Sequence, residues 1–221
     1  YYLFAALAMI LLPAISKTTA ERDDTETRSL VEKSLRLLAL ILFPMIALLA
    51  AYANEILHLF YGSRYEGAAT AMQVFAVGVG FLTVFYVLAF ALNGAGQVKI
   101  PLWLSFGGFI SMLALNFILI PPFGIVGAAL ATSIVSGVLM ISILMYTGIH
   151  FGAKLSVRLF MISLVSAIGI AFLAARVLPS GPWNFVASGV LLIVLYYSVL
   201  RFFRELQDDD IMPFLRLFTR K

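Results

Sequence analysis

The chain is 221 residues long, 62% hydrophobic and only 12% charged, with a formal net charge of +4 at pH 7 and a mean hydropathy of +1.04. That is too apolar for a soluble domain and defines an integral membrane protein, with no nucleic-acid partner expected. Cysteine is absent, which excludes disulfides and thiolate metal sites. His58 and His150 stand too far apart in sequence to suggest a metal site by spacing, so neither metal nor cofactor is expected.

Seven apolar runs follow one another: Tyr1 to Ile15, Leu35 to Ala53, Ala68 to Leu92, Pro101 to Ile120, Ile125 to Thr147, Leu159 to Leu178 and Trp183 to Leu200. A run of about 20 residues, at roughly 1.5 Å of rise each, matches a hydrocarbon core roughly 30 Å thick. Period-two alternation is absent, and an open sheet edge cannot be satisfied in lipid. All seven runs are therefore predicted helices, and the fold class is an all-α polytopic transmembrane bundle. The first run opens without Met or a basic leader, so it is not read as a signal peptide. The chain is expected to be the C-terminal part of a longer protein. If the Ser16 to Ser34 loop is cytoplasmic, 13 of the 15 basic residues share its side and only Arg64 and Arg176 lie opposite. Such a split is a positive-inside signal and predicts a cytoplasmic C-terminus.

Between the first two runs, SKTTAERDDTETRSLVEKS carries Arg28, Glu32 and Arg36 at spacings of four, which extends the second span as a helix beyond the membrane. It reads either as a basic rim for anionic head groups or as a solvated loop carrying orientation charges. Pro44 falls inside the second span, where it withholds one backbone hydrogen bond and predicts a kink. Asn54 to Glu66 is short, amphipathic and aromatic. Tyr52, Tyr61, Tyr65 and Trp183 are read as anchors at the outer interface, and Trp103, Tyr146, Tyr196 and Tyr197 as anchors at the inner one.

The spans hold almost no charge. Gln73 lies near the outer end of the third, Asn93 and Gln97 stand four apart at its cytoplasmic mouth, and Asn116 is near the outer end of the fourth. Polar residues at membrane depth face a bundle interior or a wet cavity, so these four are the binding candidates; interhelical hydrogen bonding is the competing reading. The fourth and fifth runs form a hairpin around Pro121-Pro122-Phe123-Gly124. The prolines are expected to stop the first helix and Gly124 to permit the return. Gly124, Gly127, Ala128 and Ala131 recur at helical spacing as a small face for close packing, while Leu139 is expected to face lipid. The last residues, from Arg201 to Lys221, place Ile211, Phe214, Leu215 and Phe218 on one face after Asp208 to Asp210, which predicts a basic amphipathic helix on the inner leaflet.

The succession LLPAISK, FYGSRYEGAATAMQVFA, ALNGAGQVKIP and NFILIPPFGIVGAALAT resembles polysaccharide flippases of the multidrug/oligosaccharidyl-lipid/polysaccharide exporter superfamily. The resemblance implies a two-lobed bundle. Residues 1–148 would supply five helices of the second lobe, 149–200 two terminal transmembrane helices, and 201–221 a cytoplasmic tail. It also implies passage of an undecaprenyl-diphosphate-linked oligosaccharide from the cytoplasmic to the outer leaflet of the plasma (inner) membrane by alternating access. Polysaccharide polymerase or glycosyltransferases would be neighbours. On that reading Arg36 and Lys99 meet the diphosphate at the cytoplasmic mouth, and Gln73, Asn93, Gln97 and Asn116 serve the sugar hydroxyls. Three alternatives stay open. A cation-coupled drug exporter normally needs membrane-embedded carboxylates, whereas every Asp and Glu here lies in a loop, at a span boundary or in the tail. A lipid II flippase shares the fold. An integral-membrane enzyme of polysaccharide synthesis needs an acid, base or metal motif in a sizeable loop, and the sequence carries none.

Overall fold

A computed structural model describes residues 2–153, 157–177 and 182–202. All described regular structure is helical: α1 (Tyr2–Ala20), α2 (Asp24–Ala51), α3 (Ala53–Tyr61), a 3-10 turn (Ser63–Ala68), α4 (Ala69–Gly94), α5 (Lys99–Phe151), α6 (Val157–Val177) and α7 (Pro182–Phe202). The seven apolar runs fall in α1, α2, α4, the two arms of α5, α6 and α7. Among the described residues α2, α4 and α5 are long and apolar enough to cross a membrane. The amphipathic tail expected after Phe202 lies outside the described residues.

The elbow between α1 and α2 is built from short polar side chains. The Asp23 carboxylate accepts the Glu26 N–H at 2.9 Å and so caps α2, while the Thr27 hydroxyl donates to the buried Thr18 hydroxyl at 2.7 Å and ties the two helices together. Arg28 and Glu32 pair at 2.9 Å one turn further on, as their spacing predicts. α2 then runs through Pro44 without a break and ends at Ala51, with Tyr52 as its C-cap.

α5 doubles back on itself, but not where the prolines stand. Pro121 and Pro122 keep helical dihedrals, because the fixed proline φ is compatible with a helix. The break comes at Gly124, with φ 57° and ψ −133°, a conformation that only glycine adopts without strain. The arms before and after it pack against each other. Gly127 lies against the Leu119 carbonyl, and a Cβ on Gly108 would stand 2.8 Å from Leu139 Cδ1. Leu139 therefore packs inside the hairpin rather than facing lipid.

α4 is the central element. Its Gly78 meets Ser133 on the second arm of α5, its Gly80 meets Ile46 on α2, and its Gly94 meets Leu12 and Ile15 on α1. Around these approaches Ile15, Leu38, Val87, Leu88, Leu92 and Ile143 are fully buried and form one core. A second core lies on another side of α2, where Ala39, Leu40 and Ala47 pack with Leu159 of α6 and Leu192, Tyr196 and Leu200 of α7. Tyr52 belongs to this second core and not to the outer interface. Tyr61 and Tyr65 remain exposed beside the aromatic end of α3, their rings 5.5 Å apart, as interface anchors require.

Candidate functional site

The residues singled out in the sequence do not converge on one point. Lys99 is exposed at the first residue of α5. Arg36 is half-buried on α2, on the stripe that continues at helical spacing through Leu40 and Phe43, and that stripe packs on α6 and α7. The two cations therefore stand on different helices, Arg36 on the side of α6 and α7.

Gln73 donates its side-chain amide to the Ala50 carbonyl at 3.0 Å. Ala50 lies in the last turn of α2, where carbonyls have no intrahelical partner, so this bond closes the C-terminal end of α2 onto α4. Asn93 and Gln97 do not share a helix. α4 ends at Gly94, and Gly96 at φ 76° turns the chain while its N–H donates to the Asn93 carbonyl at 3.0 Å and the Gln97 N–H to the Leu92 carbonyl at 2.8 Å. This is a glycine C-cap with Asn93 before it and Gln97 beyond it.

Two of the amides carry an unmet demand. Asn93 Oδ1 and Asn116 Oδ1 are both buried and have no hydrogen-bond partner among the described residues. An unpaired buried amide oxygen is costly in a medium that offers no water, so each calls for a donor. Asn93 lies on the stripe of α4 formed by Phe75, Leu82 and Tyr86, of which Phe75 and Leu82 are exposed; the glycine-bearing sides of α4 face α1, α2 and α5. The arrangement sets single acceptors for a hydroxyl or N–H near each end of the bundle.

A groove of about 470 Å³ runs between the arms of α5, lined by Trp103, Gly107, Ser111, Val138, Leu139 and Ser142 among others. The Ser142 hydroxyl already bonds the Val138 carbonyl at 2.8 Å, so the groove wall is apolar and suits a hydrocarbon chain better than a sugar.

Sequence reasoning missed three polar contacts between helices. Ser133 Oγ on α5 donates to the Val74 carbonyl of α4 at 2.8 Å, and the Tyr196 and Tyr197 hydroxyls of α7 reach the Ala39 and Leu40 carbonyls of α2, each at 3.4 Å. Tyr196 and Tyr197 are thus turned inward and are not anchors at the inner interface. The signal available for them was Pro44, four residues after Leu40, which leaves that carbonyl without its helical donor.

Antiparallel apolar helices, a reversal at glycine and buried amides define a polytopic α-helical membrane protein. The lipid II flippase MurJ family model matches residues 3–199, and the chain belongs to that family. The chain also superposes on a solved lipid II flippase MurJ in its inward closed conformation, with a TM-score of 0.76 and 16% identity over 90% of this chain and 42% of that one. An uncharacterized membrane protein, MJ1068, of Methanocaldococcus jannaschii is 34% identical over 102 residues, which is 46% of this chain and 20% of that protein. A putative O-antigen transporter of Shigella flexneri is 27% identical over 131 residues, 59% of this chain and 31% of that protein. The matches take in a fifth to a third of these curated relatives' length. The resemblance to flippases of the exporter superfamily is borne out. The family's name and that of the Shigella relative are those of a flippase and a transporter, which sets the enzyme reading aside.

Proposed function

We propose that the chain supplies the C-terminal transport lobe and terminal helix pair of a flippase that moves an undecaprenyl-diphosphate-linked oligosaccharide from the cytoplasmic to the outer leaflet of the plasma membrane by alternating access. The observation that carries the flippase part of this reading is the family match over residues 3–199. Two features support it. Buried, unpartnered Asn93 and Asn116 oxygens offer acceptors to sugar hydroxyls, and the apolar hairpin groove suits a prenyl chain. A diphosphate-sugar cannot cross hydrocarbon unaided, since its charges and hydroxyls would lose their hydration. In this reading Lys99 and Arg36 compensate the diphosphate on the cytoplasmic side, and Asn93, Gln97 and Asn116 line the passage. Gln73, already bonded to α2, serves mainly to hold the outer end closed. Lipid II is the second reading of the cargo, favoured by the name of the matching family.

Complementation of a strain lacking its O-antigen or capsule flippase tests the proposal. Full-length protein should restore surface polysaccharide. Asn93→Ala with Asn116→Ala, and separately Arg36→Ala with Lys99→Ala, should reduce it at equal expression. Restoration at the unmutated level by both double variants would remove these residues from the route. Rescue of a strain depleted of its lipid II flippase, without rescue of surface polysaccharide, would favour the second reading.

A further inference from the structure

Proline at position 44 withholds the N–H that would bond the Leu40 carbonyl one turn earlier, and in lipid no water replaces it. α2 nevertheless runs on as one helix from Asp24 to Ala51, with Pro44 buried. The Leu40 carbonyl is met from outside the helix: the Tyr197 hydroxyl of α7 stands 3.4 Å from it. The preceding residue, Tyr196, is fully buried and sets its hydroxyl 3.4 Å from the adjoining Ala39 carbonyl. Its ring lies edge-on to that of Tyr197 with centroids 5.4 Å apart. Phe43, next to the proline, makes an edge contact with Phe160 of α6 at 5.6 Å. The proline defect in the lobe helix is therefore covered by the terminal helix pair, with consecutive tyrosines on consecutive carbonyls.

We propose that Tyr197, supported by Tyr196, supplies the hydrogen bond that Pro44 withholds, so that α6 and α7 act as a clasp fixing the conformation of α2 at its weak point. The fully buried Ser163 of α6 has no hydrogen-bond partner for its hydroxyl among the described residues. α2 bends at Pro44 when the clasp opens and is held when it closes. This makes α7 a positioning element for the transport lobe, whatever the cargo.

The hydrogen bonds are long, so the effect is small but specific, and a cycle of variants isolates it. Full-length protein in lipid nanodiscs is compared by amide hydrogen exchange over residues 41–48, with folding checked by gel filtration and circular dichroism. Tyr197→Phe, which keeps the ring and removes the hydroxyl, should speed exchange there about three- to fivefold, the size of a weak hydrogen bond between membrane helices. Pro44→Ala restores the internal donor for Leu40, and in that background Tyr197→Phe should change exchange by less than about 1.5-fold. No acceleration beside proline, or an equal or greater one in the Pro44→Ala background, would overturn the clasp.

Discussion

Where α4 meets the second arm of α5, the helices touch almost backbone to backbone. A Cβ on Gly78 would lie 2.6 Å from Ser133 Oγ and 2.9 Å from Ser133 Cα. Where α2 meets α6 and α7, the contact is made by large side chains: Leu159, Leu192, Leu200, the Phe43 and Phe160 edge pair, and the two tyrosines. In lipid there is no hydrophobic drive to bring helices together, so close packing and scattered hydrogen bonds must do it. The first seam achieves this by leaving side chains out, the second by fitting them in. Added bulk should break the first, and removed bulk the second.

The largest effect is expected from Gly78→Leu, which forces α4 and α5 apart against backbone atoms that cannot give way. It should cost about 3 kcal/mol or more, read as loss of folded protein and a lowered thermal midpoint in detergent. Gly107→Ala is the control: nothing lies within 4 Å of its Cβ position, so it should be neutral or slightly stabilising. In the other seam, fully buried Leu192 truncated to alanine should cost about 1 to 2 kcal/mol on the same assay, since dispersion contacts are lost while lipid, not water, surrounds the bundle. Ser133→Ala removes the one hydroxyl that reaches from α5 to the Val74 carbonyl and should cost about 0.6 kcal/mol, which places the hydrogen bond well below the steric term in the first seam.

The smallest effect lies outside both seams, at the cap of α2. The Thr25 hydroxyl, and then the Glu26 N–H, hold the Asp23 carboxyl below its ordinary value. Because the folded-state value is depressed, the contribution is complete above the ordinary carboxylate pKa of about 3.9 and is lost as pH falls below that and through the folded value. Asp23→Ala should fray the first turn of α2 and abolish this acid dependence, measured by hydrogen exchange at the Glu26 amide.

The helical character of the apolar runs and the Arg28–Glu32 pair were legible in the sequence because hydropathy and i, i+4 spacing are local quantities. The small face around Gly127 was legible too, since an absent side chain means the same thing wherever the helix sits. Leu139, Tyr196 and Tyr197 were misread for a common reason. In a bilayer the lipid-facing and the packed sides of a helix are equally apolar, so nothing in α5 or α7 marks which side is buried. The break at Gly124 was placed early because two prolines look like a stop, whereas the local requirement is a positive φ. For the candidate site, sequence found the polar residues but not their partners. Gln73 proved bonded to Ala50 and the Asn93 and Gln97 pair proved split by a cap, both consequences of where α2 and α4 end.

The central claim, that this lobe belongs to a carrier of lipid-linked saccharide, is tested most directly by reconstitution. Full-length protein is placed in liposomes carrying an undecaprenyl-diphosphate oligosaccharide, and the head group exposed outside is followed by its accessibility to a membrane-impermeant glycosidase. The account predicts that the inner-leaflet pool becomes accessible with protein present, and more slowly with Asn93→Ala and Asn116→Ala together. An inner pool that stays protected as in protein-free liposomes, for this lipid and for lipid II alike, would contradict it.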